Sequence, residues 1–284
     1  MKTPKRIEPL VEDGLVDTVV RQLMSGKEAN VYVVRCGTEV RCAKVYKEAN
    51  QRSFRQSVEY TEGRKVKNNR RARAMEKGTR YGREAQEEAW QSAEVATLFR
   101  LADAGVRVPR PYNFLDGVLL MDLVTDSNGE AAPRLGEITF TPEDARRTHR
   151  ELITQVVRML CAGVVHGDLS AYNVLLSDEG PVIIDFPQAV DAAGNSHAFN
   201  MLERDVTNLA TYFGQFAPEL LTTDYSMEIW SHYQGGTLTP ETPLTGQFKR
   251  NDKIADVEGV LLVVEAAAKE EEERRRFLQE LEDE

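Results

Sequence analysis

Three polar residues stand in two short segments that are bounded by apolar residues. Asp168 and Asn173 lie in VVHGDLSAYNVLL, residues 164–176, and Asp185 follows in VIIDF, residues 182–186. Such apolar framing holds a polar loop rigid on a packed base, as catalytic groups require. Asn173 and Asp185 offer the hard oxygen ligands that suit a Mg²⁺ ion in contact with phosphates, which leaves Asp168 to orient or deprotonate a hydroxyl group or water. The structural alternative is an Asp-capped turn beside an Asx turn in a hairpin.

An upstream lysine offers a positive charge for phosphates. Lys44 stands in RCAKVYK, a predicted strand in which its neighbours are apolar. Pairing with nucleotide phosphates is the functional interpretation, and a side chain that runs along the surface to reach water is the structural one. A lysine that binds phosphates needs a carboxylate to orient it. We expect Glu94 on the following helix to be that partner, with Glu87 and Glu88 as alternatives.

The segment SGKEANVY, residues 25–32, precedes this lysine and lies between two predicted strands. It matches neither the P-loop spacing nor G-x-G-x-x-G, because Gly26 is its only glycine. Ser25, Gly26 and Lys27 nevertheless offer a hydroxyl group, an accessible backbone amide and a positive charge. These three groups together suit the binding of phosphates.

Length and composition indicate a soluble globular protein with one large domain or two smaller lobes. The chain has 284 residues, of which 41% are hydrophobic and 29% are charged. No apolar run is long enough to span a bilayer and no secretory signal is visible, so we expect no membrane association. The three cysteines lack the spacing of metal ligands, and we interpret them as reduced thiols in a cytoplasmic protein.

The charge is distributed unevenly along the chain. A net charge of −10 argues against a general nucleic-acid binder. Residues 64–83 nonetheless hold nine Lys or Arg residues and one Glu, so their local charge is nine minus one, or +8. This basic segment is a candidate contact for RNA or another phosphate-bearing partner. A solvated loop without a partner is the alternative.

The elements that must position these groups come in a strand-rich and then a helical order. Residues 30–48 alternate as two antiparallel strands with a turn at Gly37-Thr38. Thr141 and the Pro that follows it are typical of a helix start. Apolar spacing and helix signals predict helices over 84–104, 141–163, around 197–215 and from about 255.

This order favours an α+β fold with a small sheet lobe and a larger helical lobe. The predicted sections are a leader over 1–13, an N-lobe over 14–121 with a flexible basic insertion at 50–83, a linker over 122–128, a C-lobe core over 129–215 and a helical, charged extension over 216–284.

Several motifs together resemble a known family. The spacing H-G-D-L-x-x-x-N at 166–173 is similar to the catalytic loop of the protein-kinase-like superfamily, and Asp185 matches its metal-binding aspartate. A glycine after the histidine also occurs in aminoglycoside and choline phosphotransferases, so this loop alone selects no substrate. SGKEANVY, AKVYK, VPRPY, HGDLSAYN and IIDFPQAV, in this order within residues 7–215, resemble the RIO family of atypical protein kinases. The resemblance implies a two-lobed protein-kinase-like fold.

The resemblance also implies ATP as the ligand, with Mg²⁺ and with Mn²⁺ as an alternative metal. Ser25, Lys27 and Asn30 would cover the phosphates. Lys44, oriented by Glu94, would hold the α- and β-phosphates.

The remaining implied roles concern the adenine and the chemical step. Met121 would border the adenine pocket, and backbone groups from Asp122 to Val124 would hydrogen-bond to adenine. Asp168 would be the catalytic base, while Asn173 and Asp185 would bind magnesium. The family further implies that Asp185 is a candidate acceptor of phosphate, which would give an aspartyl-phosphate.

These features favour Mg-ATP-dependent phosphoryl transfer by a serine/threonine protein kinase, acting on an unknown protein or on itself, or ATP hydrolysis. Nineteen residues separate Asp185 from Asp205 without an A-P-E motif, so the platform on which ordinary kinases bind peptides is predicted to be absent. The family implies a setting in maturation of the small ribosomal subunit. The alternatives are a small-molecule phosphotransferase and an ATPase-gated module that binds RNA or a ribosomal particle through residues 64–83.

Overall fold

A computed structural model provides the three-dimensional structure of part of the chain. The chain divides into two units, Met1–Phe248 and Lys249–Glu284, and each described residue belongs to the first. The described residues are 2–26, 28–47 and 80–248, with the backbone alone for 80–90. The predicted sites and elements outside them are Lys27, most of the insertion at 50–83 and the helix from about 255.

Five antiparallel strands form the N-terminal sheet. They are β1 (Thr18–Ser25), β2 (Ala29–Cys36), β3 (Glu39–Tyr46), β4 (Pro111–Leu115) and β5 (Val118–Asp122), in the spatial order β1-β2-β3-β5-β4. The predicted hairpin is confirmed, because β2 and β3 pair in continuous register up to Cys36 opposite Glu39. Gly37 in the intervening turn has a φ of 62°, a left-handed conformation that glycine adopts without steric cost.

The predicted leader 1–13 is part of the N-lobe. It contains the short helix α1 (Glu8–Glu12). Ile7 and Leu10 are fully buried in a cluster with apolar residues of the sheet, among them Val34 and Val118. Burial of these two side chains ties the N-terminal segment to the sheet, so it belongs to the lobe that it precedes.

The long helix α2 (Arg80–Asp103) crosses from the predicted insertion into the N-lobe. The sequence predicted its start at residue 84, and it begins four residues earlier in the structure. Its first turn, RYGR, has no apolar repeat to mark a helix, so the apolar spacing identified only the later turns. Val95, Leu98 and Leu101 are buried and fix the helix in the core.

The C-lobe contains three α-helices among the described residues, α3 (Pro142–Cys161), α4 (Ala198–Gly214) and α5 (Tyr225–Gln234). Its short strands are β6 (Val164–Val165), β7 (Val174–Ser177), β8 (Gly180–Ile183) and β9 (Val190–Asp191), paired as β6 with β9 and β7 with β8. Two 3₁₀ turns lie at Leu135–Glu137 and Pro218–Thr222. Thr141 caps α3 as predicted, since its Oγ1 accepts a hydrogen bond of 3.1 Å from the Asp144 N–H.

The core of the C-lobe extends beyond the predicted boundary at residue 215. Ala217, Leu220 and Ile229 belong to the same buried cluster as Leu152 of α3 and Phe213 of α4. The described part of the predicted extension 216–284 is therefore continuous with the C-lobe. The predicted α+β fold, with a sheet lobe followed by a helical lobe, is confirmed.

The segment after β5 connects the two lobes. The strand ends at Asp122, and an isolated bridge pairs Thr125 with Ala131.

Within the described ranges, no helix combines the length and the apolar character needed to cross a membrane.

Candidate active site

Lys44 is the centre of a charged cluster at the boundary of the two lobes. Its Nζ atom donates to Glu94 Oε1 at 2.7 Å and to Asp185 Oδ1 at 3.0 Å. Burial opposes the positive charge, but the carboxylates, with Glu94 foremost, hold the pKa of Lys44 well above its usual value. The pairing of Lys44 with Glu94 that the sequence predicted is present in the structure, and the side chains of the alternatives, Glu87 and Glu88, lie outside its description.

Asp185 follows β8 and turns its carboxylate towards Lys44. Its backbone has a φ of 69°, which is uncommon for a residue other than glycine and is tolerated best by Asp and Asn. The positive charge of Lys44 lowers the pKa of the Asp185 carboxyl even though burial opposes this shift. The side chain remains 45% exposed, so the ionised carboxylate stays accessible to a ligand.

The loop between β6 and β7 carries Asp168 and Asn173 side by side. Asn173 Nδ2 donates to the backbone carbonyl of Asp168 at 2.8 Å and lies 3.5 Å from Asp168 Oδ2. Gln188 Nε2 approaches the same carboxylate oxygen at 3.5 Å. Burial raises the pKa of Asp168, with partial opposition from the charge of Arg204. Asp168 is therefore more basic than an exposed aspartate, which suits a proton acceptor.

His166 connects this loop to the segment that carries Asp185. Its Nδ1 accepts from the Asp168 N–H at 3.3 Å, and its Nε2 lies 3.2 Å from the Ile184 carbonyl. Burial lowers the pKa of His166 to about 4, so the ring is neutral at physiological pH. A neutral ring that accepts at Nδ1 carries its proton on Nε2, which therefore donates a hydrogen bond to the Ile184 carbonyl. His166 is thus a packing and positioning residue.

Helix α4 holds the same loop from the other side through residues that we did not predict as site residues. Asp205 is buried and accepts hydrogen bonds of 2.8 Å from the backbone N–H groups of Gly167 and Leu169. Asn208 donates to the Leu169 carbonyl at 3.0 Å, and Arg204 donates to the Gly167 carbonyl. The available sequence signal was Asp205 itself, a carboxylate in a helix whose other buried residues are apolar or glycine, with Asn208 three residues later.

The β1–β2 turn contains the predicted phosphate-binding groups. Ser25 Oγ donates to Asn30 Oδ1 at 2.8 Å across the turn, and the Gly26 N–H donates to the Ala29 carbonyl at 2.9 Å. Lys47 Nζ donates to the Gly26 carbonyl at 2.6 Å and so braces the turn. Lys47 was not among the predicted residues.

The predicted adenine-binding segment keeps only part of its backbone free. The Asp122 N–H already donates to the Arg110 carbonyl at 2.9 Å, and the Val124 carbonyl accepts from Ala132 at 2.9 Å. The Val124 N–H, in contrast, has no hydrogen-bond partner among the residues that the structure describes. Met121, at the end of β5, is half-buried and packs against the main core.

The donor set around Asn173 and Asp185 fits Mg²⁺. Because the Asn173 amide nitrogen donates to Asp168, its amide oxygen is left as an acceptor. Asp185 uses Oδ1 for Lys44, and its carboxylate has a second oxygen. No cluster of three or more His, Cys, Asp or Glu residues suited to a metal occurs in the described part of the chain. Mg²⁺ needs no such cluster, since it commonly uses one or two protein oxygens and completes its shell with phosphates and water.

Structural comparison identifies the class of the fold. The crystal structure of the Rio2 kinase-ADP/Mg²⁺-phosphoaspartate complex from Chaetomium thermophilum matches with a TM-score of 0.53. The match has 20% sequence identity and covers 74% of this chain and 59% of that one. The fold is therefore that of a two-lobed protein kinase.

Sequence comparison narrows this class to one family. The RIO domain family model matches residues 30–226. RIO-type serine/threonine-protein kinase Rio1 of Haloferax volcanii is 36% identical over 209 residues, which are 73% of this chain and 67% of the relative. Serine/threonine-protein kinase rio1 of Schizosaccharomyces pombe is 30% identical over 211 residues, which are 72% of this chain but only 40% of the relative. The chain belongs to the RIO family of serine/threonine-protein kinases, which confirms the resemblance seen in its motifs.

Proposed function

We propose that this chain transfers the γ-phosphoryl group of ATP, in the presence of Mg²⁺, to a serine or threonine hydroxyl group or to water. One observation carries the proposal: Lys44 joins Glu94 and Asp185 within 3.0 Å at the lobe boundary. The other groups that phosphoryl transfer requires belong to the same cluster or to the neighbouring catalytic loop. They are the metal-binding oxygens of Asn173 and Asp185 and the proton acceptor Asp168.

The ion pairs of Lys44 leave it able to bind phosphate. An ammonium group has three N–H donors, and Glu94 and Asp185 take two of them. The third is available for the α- and β-phosphates of ATP. Ser25, Gly26 and the turn that contains them would cover the phosphates from the N-lobe, with Lys27 as a further candidate.

Asp168 is the proposed proton acceptor of the chemical step. As the attacking hydroxyl oxygen bonds to the γ-phosphorus, its proton passes to the Asp168 carboxylate, and the bond from phosphorus to the β–γ bridging oxygen breaks to release ADP. Asn173 and Asp185 would hold Mg²⁺, which when bound neutralises charge on the phosphate oxygens. Asn173 also fixes the backbone of Asp168 through its 2.8 Å hydrogen bond.

Two routes are open after ATP has bound. In the first, a hydroxyl group of a protein, including this protein itself, accepts the phosphoryl group. In the second, a carboxylate oxygen of Asp185 attacks the γ-phosphorus and the bond from phosphorus to the β–γ bridging oxygen breaks to release ADP. Water then cleaves the acyl phosphate to restore the carboxylate and release phosphate. The exposure of Asp185 and its lowered pKa support the second route, because an ionised and accessible carboxylate is a competent nucleophile.

A role in maturation of the small ribosomal subunit remains part of the proposal. It would use the basic segment 64–83 as a contact for RNA or the ribosomal particle. Residues 64–79 of that segment lie outside the described part of the chain.

A label-transfer experiment tests the proposed activity. The purified chain is incubated with γ-labelled ATP and Mg²⁺, and labelled protein and free phosphate are measured separately with and without hydroxylamine. The wild type is compared with Asp168→Asn, Asp185→Ala and the control Asp178→Asn, which alters an exposed carboxylate in the β7–β8 turn. We expect Asp178→Asn to match the wild type and both site variants to lose at least about a hundredfold in rate.

The chemical stability of the label separates the two routes. Label that resists hydroxylamine indicates transfer to serine or threonine, whereas hydroxylamine-labile label with free phosphate indicates an acyl phosphate on Asp185. An unchanged rate in Asp168→Asn would contradict the proposed proton acceptor. Phosphate transfer that appears only with a small hydroxyl compound would favour the small-molecule phosphotransferase instead.

A further inference from the structure

Arg134 lies beside the catalytic loop and has no part in the roles assigned above. Its backbone pairs with Leu175 in an isolated bridge, two residues beyond Asn173. The neighbouring Pro133 carbonyl accepts a hydrogen bond of 2.9 Å from the Leu176 N–H. These contacts attach the backbone of Arg134 to β7 in the C-lobe, immediately after the loop that carries Asp168 and Asn173.

The side chain of Arg134 extends from the C-lobe towards the N-lobe. Its Nη2 atom lies 3.0 Å from the sulfur atom of Met24, the residue before Ser25 in β1. The guanidinium group therefore reaches β1 next to Ser25, while the backbone of Arg134 stays beside the loop that carries Asp168 and Asn173.

The contacts of this guanidinium group leave most of its donors unused. A thioether sulfur is a weak acceptor, and the guanidinium group has five N–H donors. Arg134 has no carboxylate within ion-pair distance among the described residues, whereas Arg21, Arg41 and Arg146 pair with Glu130, Glu39 and Glu219. A planar guanidinium group binds phosphate oxygens through paired hydrogen bonds, so an oxyanion is the ligand that best fits this position.

We propose that Arg134 binds the γ-phosphate of ATP as a second cation besides Lys44. The inference rests on the proposed function and deepens it. Lys44 belongs to the N-lobe sheet, which suits the α- and β-phosphates. Arg134 is attached beside Asp168 and Asn173, where the terminal phosphate must lie to meet the attacking hydroxyl group.

Binding measurements test this assignment without the need for turnover. Isothermal titration gives the affinity for Mg-ADP and for the Mg complex of a non-hydrolysable imido analogue of ATP. The variants are Arg134→Gln, Arg134→Lys and the control Arg21→Gln, which removes another arginine contact between β1 and the segment after β5. We expect Arg134→Gln to lower the affinity for the analogue by about tenfold to a hundredfold and the affinity for ADP by less than about twofold.

The two matched variants define what would support or overturn the assignment. Arg134→Lys should recover part of the affinity for the analogue, because it keeps the charge and loses the paired hydrogen bonds. Arg21→Gln should leave both affinities unchanged. An equal loss for ADP and the analogue would assign Arg134 to lobe positioning and overturn the proposal, as would no loss for either.

The proposed function and this inference fail in different ways. A wild-type chain that binds both nucleotides but transfers no phosphate contradicts the proposed activity, and the binding comparison still decides the role of Arg134. A wild-type chain that binds neither nucleotide overturns both proposals. Thermal unfolding of each variant at the same pH shows whether a lost affinity reflects a lost fold.

Discussion

Substitution of Asp205 by asparagine tests how strongly α4 fixes the catalytic loop. The Asp205 carboxylate accepts from two backbone N–H groups, those of Gly167 and Leu169, each at 2.8 Å. An asparagine side chain has one oxygen and one NH₂ group, so it can accept from only one of the two. The other backbone N–H then faces the NH₂ group of the asparagine. Water cannot supply the missing acceptor there, because Asp205 is only 2% exposed.

The loss can be estimated from these two hydrogen bonds. A hydrogen bond to a charged group contributes about 1.5–3 kcal/mol, and an unsatisfied buried donor costs about 1–3 kcal/mol. Because these two terms overlap, we expect Asp205→Asn to lower the free energy of unfolding by about 2–4 kcal/mol. The loop that bears Asp168 should therefore lose its fixed position before the nucleotide-binding residues of the N-lobe do. We expect kcat to fall at least about tenfold and KM for ATP to change less than about threefold.

The assay combines steady-state kinetics with urea unfolding at about pH 8, where Asp205 is mostly ionised because burial raises its pKa to about 7. An exposed carboxylate supplies the control. Asp191 also accepts from two backbone N–H groups, at 3.1 Å from Ala193 and 2.8 Å from Gly194, but its side chain is 51% exposed. Both N–H groups reach the same oxygen, Oδ1, so an asparagine that keeps this oxygen retains both hydrogen bonds, and Asp191→Asn should cost less than about 1 kcal/mol. A folded Asp205→Asn variant with the kcat of the wild type would refute the reasoning and assign the loop position to Arg204 and Asn208 instead.

Three further predictions follow from burial and charge. Burial raises the pKa of Asp205 to about 7 in the folded state, so its contribution to stability is present below about pH 4 and is lost as pH rises to about 7. Urea unfolding at several pH values should therefore show that the free energy of unfolding falls more steeply between pH 5 and 7 in the wild type than in Asp205→Asn. The same pH dependence in both proteins would contradict this prediction. Glu94→Gln leaves Lys44 with one carboxylate partner, so titration should show Mg-ATP binding weakened by about tenfold, and unchanged affinity would contradict its orienting role. Leu10→Ala should cost about 2–5 kcal/mol in urea unfolding, whereas the exposed Val20→Ala should cost less than about 1 kcal/mol; equal losses would mean that the N-terminal segment is not part of the core.

The sequence alone determined the parts of this protein that depend on local pattern. The alternation over residues 30–48 and the Gly37-Thr38 turn predicted the hairpin, because strand alternation and turn chemistry act over a few residues. The motifs around Lys44, Asp168 and Asp185 identified the family, since the spacing of functional groups within a loop or at a strand end is itself a local property. Helical periodicity placed Glu94 on a face that meets Lys44, although the two residues are 50 positions apart.

Only the tertiary structure decided the contacts between elements that are distant in sequence. Asp205 meets the N–H groups of Gly167 and Leu169 across separations of 38 and 36 residues, and Arg134 reaches Met24 across 110. A hydrophobic period indicates which face of a helix is buried, but it cannot indicate which backbone groups that face will meet. The packing of helix, loop and sheet against one another decides these contacts. It places Asp205 against the catalytic loop and Arg134 beside it, although neither residue stands out in the sequence.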